Sequence, residues 1–137
     1  MKTYYIAGVW DLFHVGHLNV LKAAKIISGP NTLIVGVVSD EHAFEYKKIY
    51  PIIPYEQRKI IIEALSIANM VVKQDIQFSI EHMNELGVDA VLLGEDWKNL
   101  MPPHLKKMSE KISVQYMART PDVSTSDIKK RIRCLQS

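Results

Sequence analysis

The sequence predicts an α/β protein: a Rossmann-like, doubly wound parallel sheet of about five strands with helices on both faces. Three observations carry this. Short apolar runs alternate with stretches of helical period along the whole chain. Three of those runs are almost wholly apolar, as strands covered on both faces are. The length, 137 residues, is one domain's worth of chain, so 1–137 reads as a single domain.

The strand candidates are TYYIAGV (3–9), TLIVGVVS (32–39), MVVK (70–73), DAVLLG (89–94) and SVQYMA (113–118), all rich in residues that fit a pleated, buried surface. Helix patterns lie between them. Leu18, Leu21, Ala24 and Lys25 mark the first, from about 16 to 28, stopped by Gly29-Pro30. Ile61, Ile62, Leu65 and Ala68 mark a second, from Arg58 to Ala68. Ile80, Met83 and Leu86 lead into Gly87, a C-terminal stop. Leu105, Met108 and Ile112 follow Pro102-Pro103, and Ile128, Ile132 and Leu135 mark the last helix. The stretch 39–54 reads as a long connection.

Bulk composition narrows the function classes. Hydrophobic content of 47% against 23% charged residues is that of an ordinary globular chain. A net charge of +2 is too small for a general nucleic-acid binder. Cys134 is the one cysteine, so no internal disulfide is expected and a reducing, cytoplasmic setting fits. The apolar start, TYYIAGVW, is broken at Asp11 without a cleavage-like site, and no apolar run approaches the roughly 20 residues that span a bilayer. Neither a leader nor a membrane partner is expected.

In an open parallel sheet, ligands bind beyond the carboxyl ends of the strands, where the strand order reverses. The residues at that rim are 9–17, 39–54, 94–98 and 119–126. The first of these segments carries His14 and His17, three apart with Gly16 between them. A helix opening there offers N–H groups and the positive end of a dipole to a phosphate. Gly16 allows close approach, and two imidazoles on one face are donors for charge developing on a phosphoryl group. Spacing alone leaves a surface coincidence or half a metal site open. Arg119 follows the last strand as a forked donor, with Ser124, Thr125 and Ser126 opening the final helix as a second phosphate cradle. A plain helix cap is the competing use of those hydroxyls.

Four stretches, in order and in spacing, resemble one family. GVWDLFHVGH (8–17) resembles the HxGH signature of the nucleotidyltransferase superfamily in its longer, cytidylyltransferase form. YEQRK (55–59) is similar to the family's arginine-bearing helix start, and GEDW (94–97) resembles the GDDW of glycerol-3-phosphate cytidylyltransferases. RTPDVSTSDI (119–128) resembles RTEGISTSDI. The matches run from residue 4 to about 132.

The resemblance implies transfer of CMP from CTP to a small phosphorylated alcohol, with glycerol-3-phosphate the best single acceptor and pyrophosphate the leaving group. It implies catalytic roles for His14, His17, Lys47 and Arg119. Nucleotide contacts would extend to Gly8, Val9, Trp10, Asp11, Gly16, Gly94, Asp96, Trp97, Thr120, Val123, Ser124, Thr125 and Ser126. Lys48, Arg58 and Asp11 would meet the acceptor, with Lys47 and Lys48 reaching the phosphates from a mobile 39–54 lid. Arg58 has a structural ion pair as its alternative, and Asp11 a turn-holding role. Mg2+ would be held mainly through nucleotide phosphates, with no metal ligand from the protein, and the chain would form a homodimer.

Other features point elsewhere or nowhere. KKMSEK (106–111) is similar to the KMSKS loop of class I aminoacyl-tRNA synthetases, but Leu105, Met108 and Ile112 make it an amphipathic helix and no tRNA-binding domain fits the length. The run Lys129, Lys130, Arg131 and Arg133 reads as a solvated helix face near the negative end of a dipole. His42, His82 and His104 lack ligand spacing. Three departures bear on the acceptor: Pro121-Asp122 stand where the family has Glu-Gly, Ser66 where it has an arginine, and QDIQFSIEHM (74–83) lacks the lysine of the glycerol-phosphate enzymes. EQRKIIIEAL resembles the matching helix of heptose-phosphate adenylyltransferases. An adenylyltransferase acting on a sugar phosphate is therefore the first rival; a nucleotide sensor without catalysis and an RNA-binding domain follow.

Overall fold

The computed structural model of the chain describes residues 1–75, 80–94, 106, 107, 109–118 and 124–136. The elements run β1 (Thr3–Gly8), α1 (Val15–Ser28), β2 (Thr32–Val38), α2 (Asp40–Lys47), α3 (Tyr55–Ala64), β3 (Met70–Gln74), α4 (Ile80–Glu85), β4 (Ala90–Gly94), β5 (Ser113–Met117) and α5 (Thr125–Gln136). The five strands form one sheet in the order β3-β2-β1-β4-β5. Every pairing is parallel, with Ile6 opposite Val35 on one side and Leu92 on the other. All five apolar runs expected to be strands are strands.

Alternation within the strands builds two cores. Tyr4, Ile6, Leu33, Val35, Val37, Ala90 and Leu92 face one way, against Leu21 and Ala24 of α1 and Tyr55 and Ile62 of α3. Tyr5, Ile34, Val91 and Leu93 face the other, against Met83 of α4 and Ile112. Both faces are therefore covered, which is why the central strands carry no polar alternation. Gly36 of β2 is fixed by a neighbour. A Cβ there would meet the Tyr5 hydroxyl and lie 2.8 Å from its Cζ, and that hydroxyl donates to Oε1 of buried Gln74.

The helices depart from the expected bounds in two places. The 39–54 connection is not one loop, because α2 occupies its first half. Ser39 caps α2 by accepting from the His42 N–H at 3.1 Å, with Asp40 and Glu41 in the first turn. Among the described side chains of that helix only Ala43 is both apolar and buried, so it shows no apolar stripe to betray it. The helix expected from Arg58 to Ala68 starts three residues earlier behind Pro54 and ends at Ala64. Leu65, Ile67 and Ala68 pack on the core all the same, so their apolar spacing reports burial rather than helix. The amphipathic stretch around Leu105, Met108 and Ile112 lies partly outside the described residues; positions 106, 107 and 109 are helical.

From β1 the chain winds outward through β2 to the β3 edge, then returns past β1 to β4 and β5. The strand order therefore reverses between β1 and β4. That is the place where such sheets bind ligands.

Candidate active site

The β1–α1 turn is held in a conformation that side chains rarely adopt. Trp10 and Leu12 sit at φ of 59° and 49°, a costly region for bulky residues unless their surroundings hold them there. Two contacts do so at Trp10. Its indole N–H donates to the Gly36 carbonyl at 3.0 Å. Its ring folds back over Gly8, where a Cβ would stand 2.7 Å from an indole carbon. Gly8 and Trp10 are thus matched, and the indole edge meets the His17 ring at 5.6 Å and 74°.

His14 lies just outside α1 as its N-cap, so the two histidines are not both on one helix face. They cap each other. His14 Nδ1 accepts from the N–H of Gly16 at 3.0 Å and of His17 at 3.4 Å, while the His14 N–H donates to His17 Nδ1 at 3.2 Å. This is a capping box built from imidazoles. A ring nitrogen that accepts from a backbone N–H carries no proton, so both rings are neutral and hold their proton on Nε2. The rings stack at 3.9 Å and 20°. Burial lowers the His14 pKa below its ordinary value. His17 is lowered to about 4, first by burial, then by His14, with Asp11 opposing and Lys47 adding a small push. Two first-turn N–H groups expected to meet a phosphate are therefore already engaged by His14. The donors left are the Nε2–H groups, and that of His14 is shielded from water with no protein acceptor among the described residues. A buried donor without a partner marks a place where a ligand brings the acceptor.

Asp11 is buried and holds the turn to two distant segments. Its carboxylate accepts from the N–H of Ile52 at 2.8 Å and Ile53 at 2.9 Å. Its carbonyl accepts from the Thr125 hydroxyl at 2.8 Å. Arg58, with a side chain fully withdrawn from solvent, donates to the carbonyls of Ile53, Val9 and Val38 at 2.8, 2.6 and 2.8 Å. It also pairs with Asp40 at 2.6 Å. Of the two uses the sequence offered for Arg58, this geometry is that of a brace, joining the ends of β1 and β2 to the segment before α3.

A cleft of about 210 Å³ opens where β1 and β4 end, lined by Gly8, Val9, Trp10, His17, Leu93 and Gly94 among others. Five residues expected at the nucleotide thus share one wall. Lys47, at the end of α2, lies within electrostatic reach of His17 and Asp11. Burial and Lys129 lower its pKa, with Asp11 opposing. Lys48 takes a left-handed conformation at φ 62° and closes its own helix, its ammonium donating to the Glu45 carbonyl at 2.8 Å. The Ser124 hydroxyl accepts from the Asp127 N–H at 3.1 Å, the cap that the sequence left as an alternative, and Ser126 is exposed. Asp96, Trp97, Arg119, Thr120 and Val123 lie outside the described residues. Lys129, set aside in the sequence as part of a solvated face, reaches Asp11 Oδ2 at 3.9 Å. Its signal was the four-residue step from Thr125, which puts both on one side of the helix.

A parallel sheet in this order, with a neutral histidine pair at its switch point, is a nucleotide-binding α/β domain equipped for phosphate chemistry. The chain belongs to the cytidylyltransferase-like family, whose sequence model matches residues 5–131, and it is an enzyme of the nucleotidyltransferase class. It is 34% identical to the glycerol-3-phosphate cytidylyltransferase of Bacillus spizizenii over 98% of this chain and 100% of that protein. It is 32% identical to the FAD synthase of Korarchaeum cryptofilum over 93% of this chain and 88% of that protein. Among solved structures, the lipopolysaccharide core biosynthesis protein of Thermoplasma volcanium superposes with a TM-score of 0.68 at 23% identity, covering 88% of this chain and 97% of that chain. The last likeness is one of fold.

Proposed function

We propose that this chain transfers CMP from CTP to glycerol-3-phosphate, giving a CDP-alcohol and pyrophosphate. The observation that carries the reaction type is the reciprocal histidine cap, which engages both Nδ1 atoms and leaves both Nε2–H groups as donors, the His17 ring lining the β1–β4 cleft. The acceptor is supported by the names of relatives that match nearly end to end, the Staphylococcus aureus enzyme among them at 30% identity over 96% of each chain.

The chemistry asks little of a general base. The acceptor's phosphate oxygen is ionised near neutral pH and attacks the α-phosphorus in line. One P–O bond forms, the bond to the β-phosphate oxygen breaks, and pyrophosphate leaves with the bonding electrons. Catalysis rests on placement and on stabilising charge. His14 and His17 meet the α-phosphate as neutral donors, with Lys47 beside them. Arg119, Ser124 and Thr125 serve the β- and γ-phosphates. Trp10 sets the His17 ring from beneath, and Gly94, Asp96 and Trp97 shape the base pocket. Magnesium is expected with the triphosphate. The described residues contain no group of three or more His, Cys, Asp or Glu side chains suited to a metal, and both Asp11 oxygens are engaged; the nucleotide phosphates would be its main ligands. We further propose a homodimer in the cytoplasm. Among the described residues no helix is long and apolar enough to cross a membrane.

A relative named FAD synthase matches almost as well, which keeps the adenylyl alternative in play. Pyrophosphate release with CTP or ATP, against phosphorylated alcohols and sugars with magnesium present, separates the two. CTP with glycerol-3-phosphate is expected to be the best pair. Faster turnover with ATP on any acceptor would transfer the chain to an adenylyl specificity, and silence across the panel would favour the sensor.

A further inference from the structure

The cationic wall of this site extends onto α5. Of the run Lys129, Lys130, Arg131 and Arg133, only Lys129 is turned inward; its side chain is 24% exposed, whereas the other three are exposed. Two contacts of that helix, four residues apart, meet Asp11: the Thr125 hydroxyl on its carbonyl at 2.8 Å and the Lys129 ammonium near its carboxylate at 3.9 Å. Asp11 stands three residues before His14, so α5 is anchored against the turn that holds the histidine pair.

The carboxylate does not need this lysine. Both of its oxygens already accept backbone N–H groups at 2.8 and 2.9 Å. At 3.9 Å the ammonium is outside hydrogen-bond distance, and the Lys129 side chain makes no hydrogen bond to the described residues. Lys47, at the end of α2, lies within electrostatic reach of the same carboxylate. Ammonium groups on two different helices thus act on one carboxylate. Burial first, and Lys129 after it, lower the pKa of Lys47, the second as like charges brought together do. A cluster with more positive than negative charge beside a phosphate-handling turn is an anion site.

We infer that Lys129 and Lys47 together seat a phosphate dianion next to the histidine pair, and that Lys129 is an added substrate-binding residue. This rests on the nucleotidyl-transfer function proposed above. The dianion has two sources, the triphosphate tail of the nucleotide or the phosphate of the acceptor. Lysine serves either, as a point charge with three rotatable donors.

Calorimetric titration of the full chain with inorganic pyrophosphate and, separately, glycerol-3-phosphate tests this without requiring turnover. Lys129→Gln should weaken one of them by about tenfold or more, the usual scale for a charge-assisted hydrogen bond. Lys129→Arg should recover most of that loss, and the thermal midpoint should be unchanged. Loss confined to pyrophosphate assigns the triphosphate tail; loss confined to glycerol-3-phosphate assigns the acceptor. Lys130→Gln, one residue away and exposed, should leave both affinities within about twofold. Unchanged affinity for both probes, an equal loss in Lys130→Gln, or a loss that tracks a lowered thermal midpoint and is not recovered by arginine would each overturn the seat. A wild-type chain that binds pyrophosphate through Lys129 yet releases none from any CTP mixture would retain the seat and refute the transferase.

Discussion

His14 does two jobs with two nitrogens, and substitution can part them. Nδ1 caps α1, while Nε2–H is left for a ligand. Replacing His14 with Ala removes the cap and should lower stability by about 1 kcal/mol. His14→Asn restores a capping oxygen and should stay within a few tenths of a kcal/mol of wild type in urea unfolding. Equal destabilisation by both would mean that the cap is not what the ring contributes. His17 offers a second check. Its folded pKa of about 4 lies below the ordinary 6.5, so it stays neutral where an unfolded chain would take up a proton. Stability tied to this group is full above about pH 6.5, is lost as pH falls, and is gone near pH 4. NMR titration of the His17 ring should give a midpoint near 4, and a midpoint at 6.5 would contradict the buried, capped geometry. The pair itself was legible in the sequence from its place after the first strand. Its tautomers were not, because they follow from which backbone N–H groups face each ring once the turn has closed through Trp10 and Leu12.

At the scale of elements, the rim is assembled by ties between segments far apart in the chain. Arg58 joins β1, β2, the segment before α3 and Asp40 of α2 through four hydrogen bonds. A hydrophobic replacement of similar length leaves three carbonyls and a carboxylate without their donor. Arg58→Met should therefore cost about 3 kcal/mol or more, read as a lowered urea midpoint at unchanged slope. A loss under about 1 kcal/mol would show that water or a neighbour replaces the guanidinium. The strands were all legible, because a run such as TLIVGVV has no polar face to hide. Helix α2 was not. Of its described side chains Ala43 is the buried apolar one, and the helix is specified by its Ser39 cap and acidic first turn, signals that a search for apolar period passes over. The inward turn of Lys129 was missed for a similar reason. The charges on either side of it are solvated, and only the contact with Asp11 distinguishes it from them.

Across the whole molecule, the order β3-β2-β1-β4-β5 determines where the chemistry sits. The chain leaves β1 for one edge and returns on the other side, and the crevice left between β1 and β4 holds the histidine turn. Three separate segments converge there: the β1–α1 turn, the end of α2, and the start of α5 through Asp11. Sequence pattern supplied the sheet and the rim. The convergence of α5 on Asp11 depends on how the last helix docks, which no local pattern encodes.

In the proposed reaction the Nε2–H groups of the histidine pair stabilise the nucleotidyl group in transfer. Pyrophosphate release by wild type and His14→Asn, each saturated with CTP and glycerol-3-phosphate and each shown to be folded, tests it most directly. The predicted result is a fall in kcat of about 100-fold or more in the variant, the scale for losing one donor to developing charge. Undiminished release by a folded His14→Asn would contradict the claim and place the catalytic centre elsewhere in the chain.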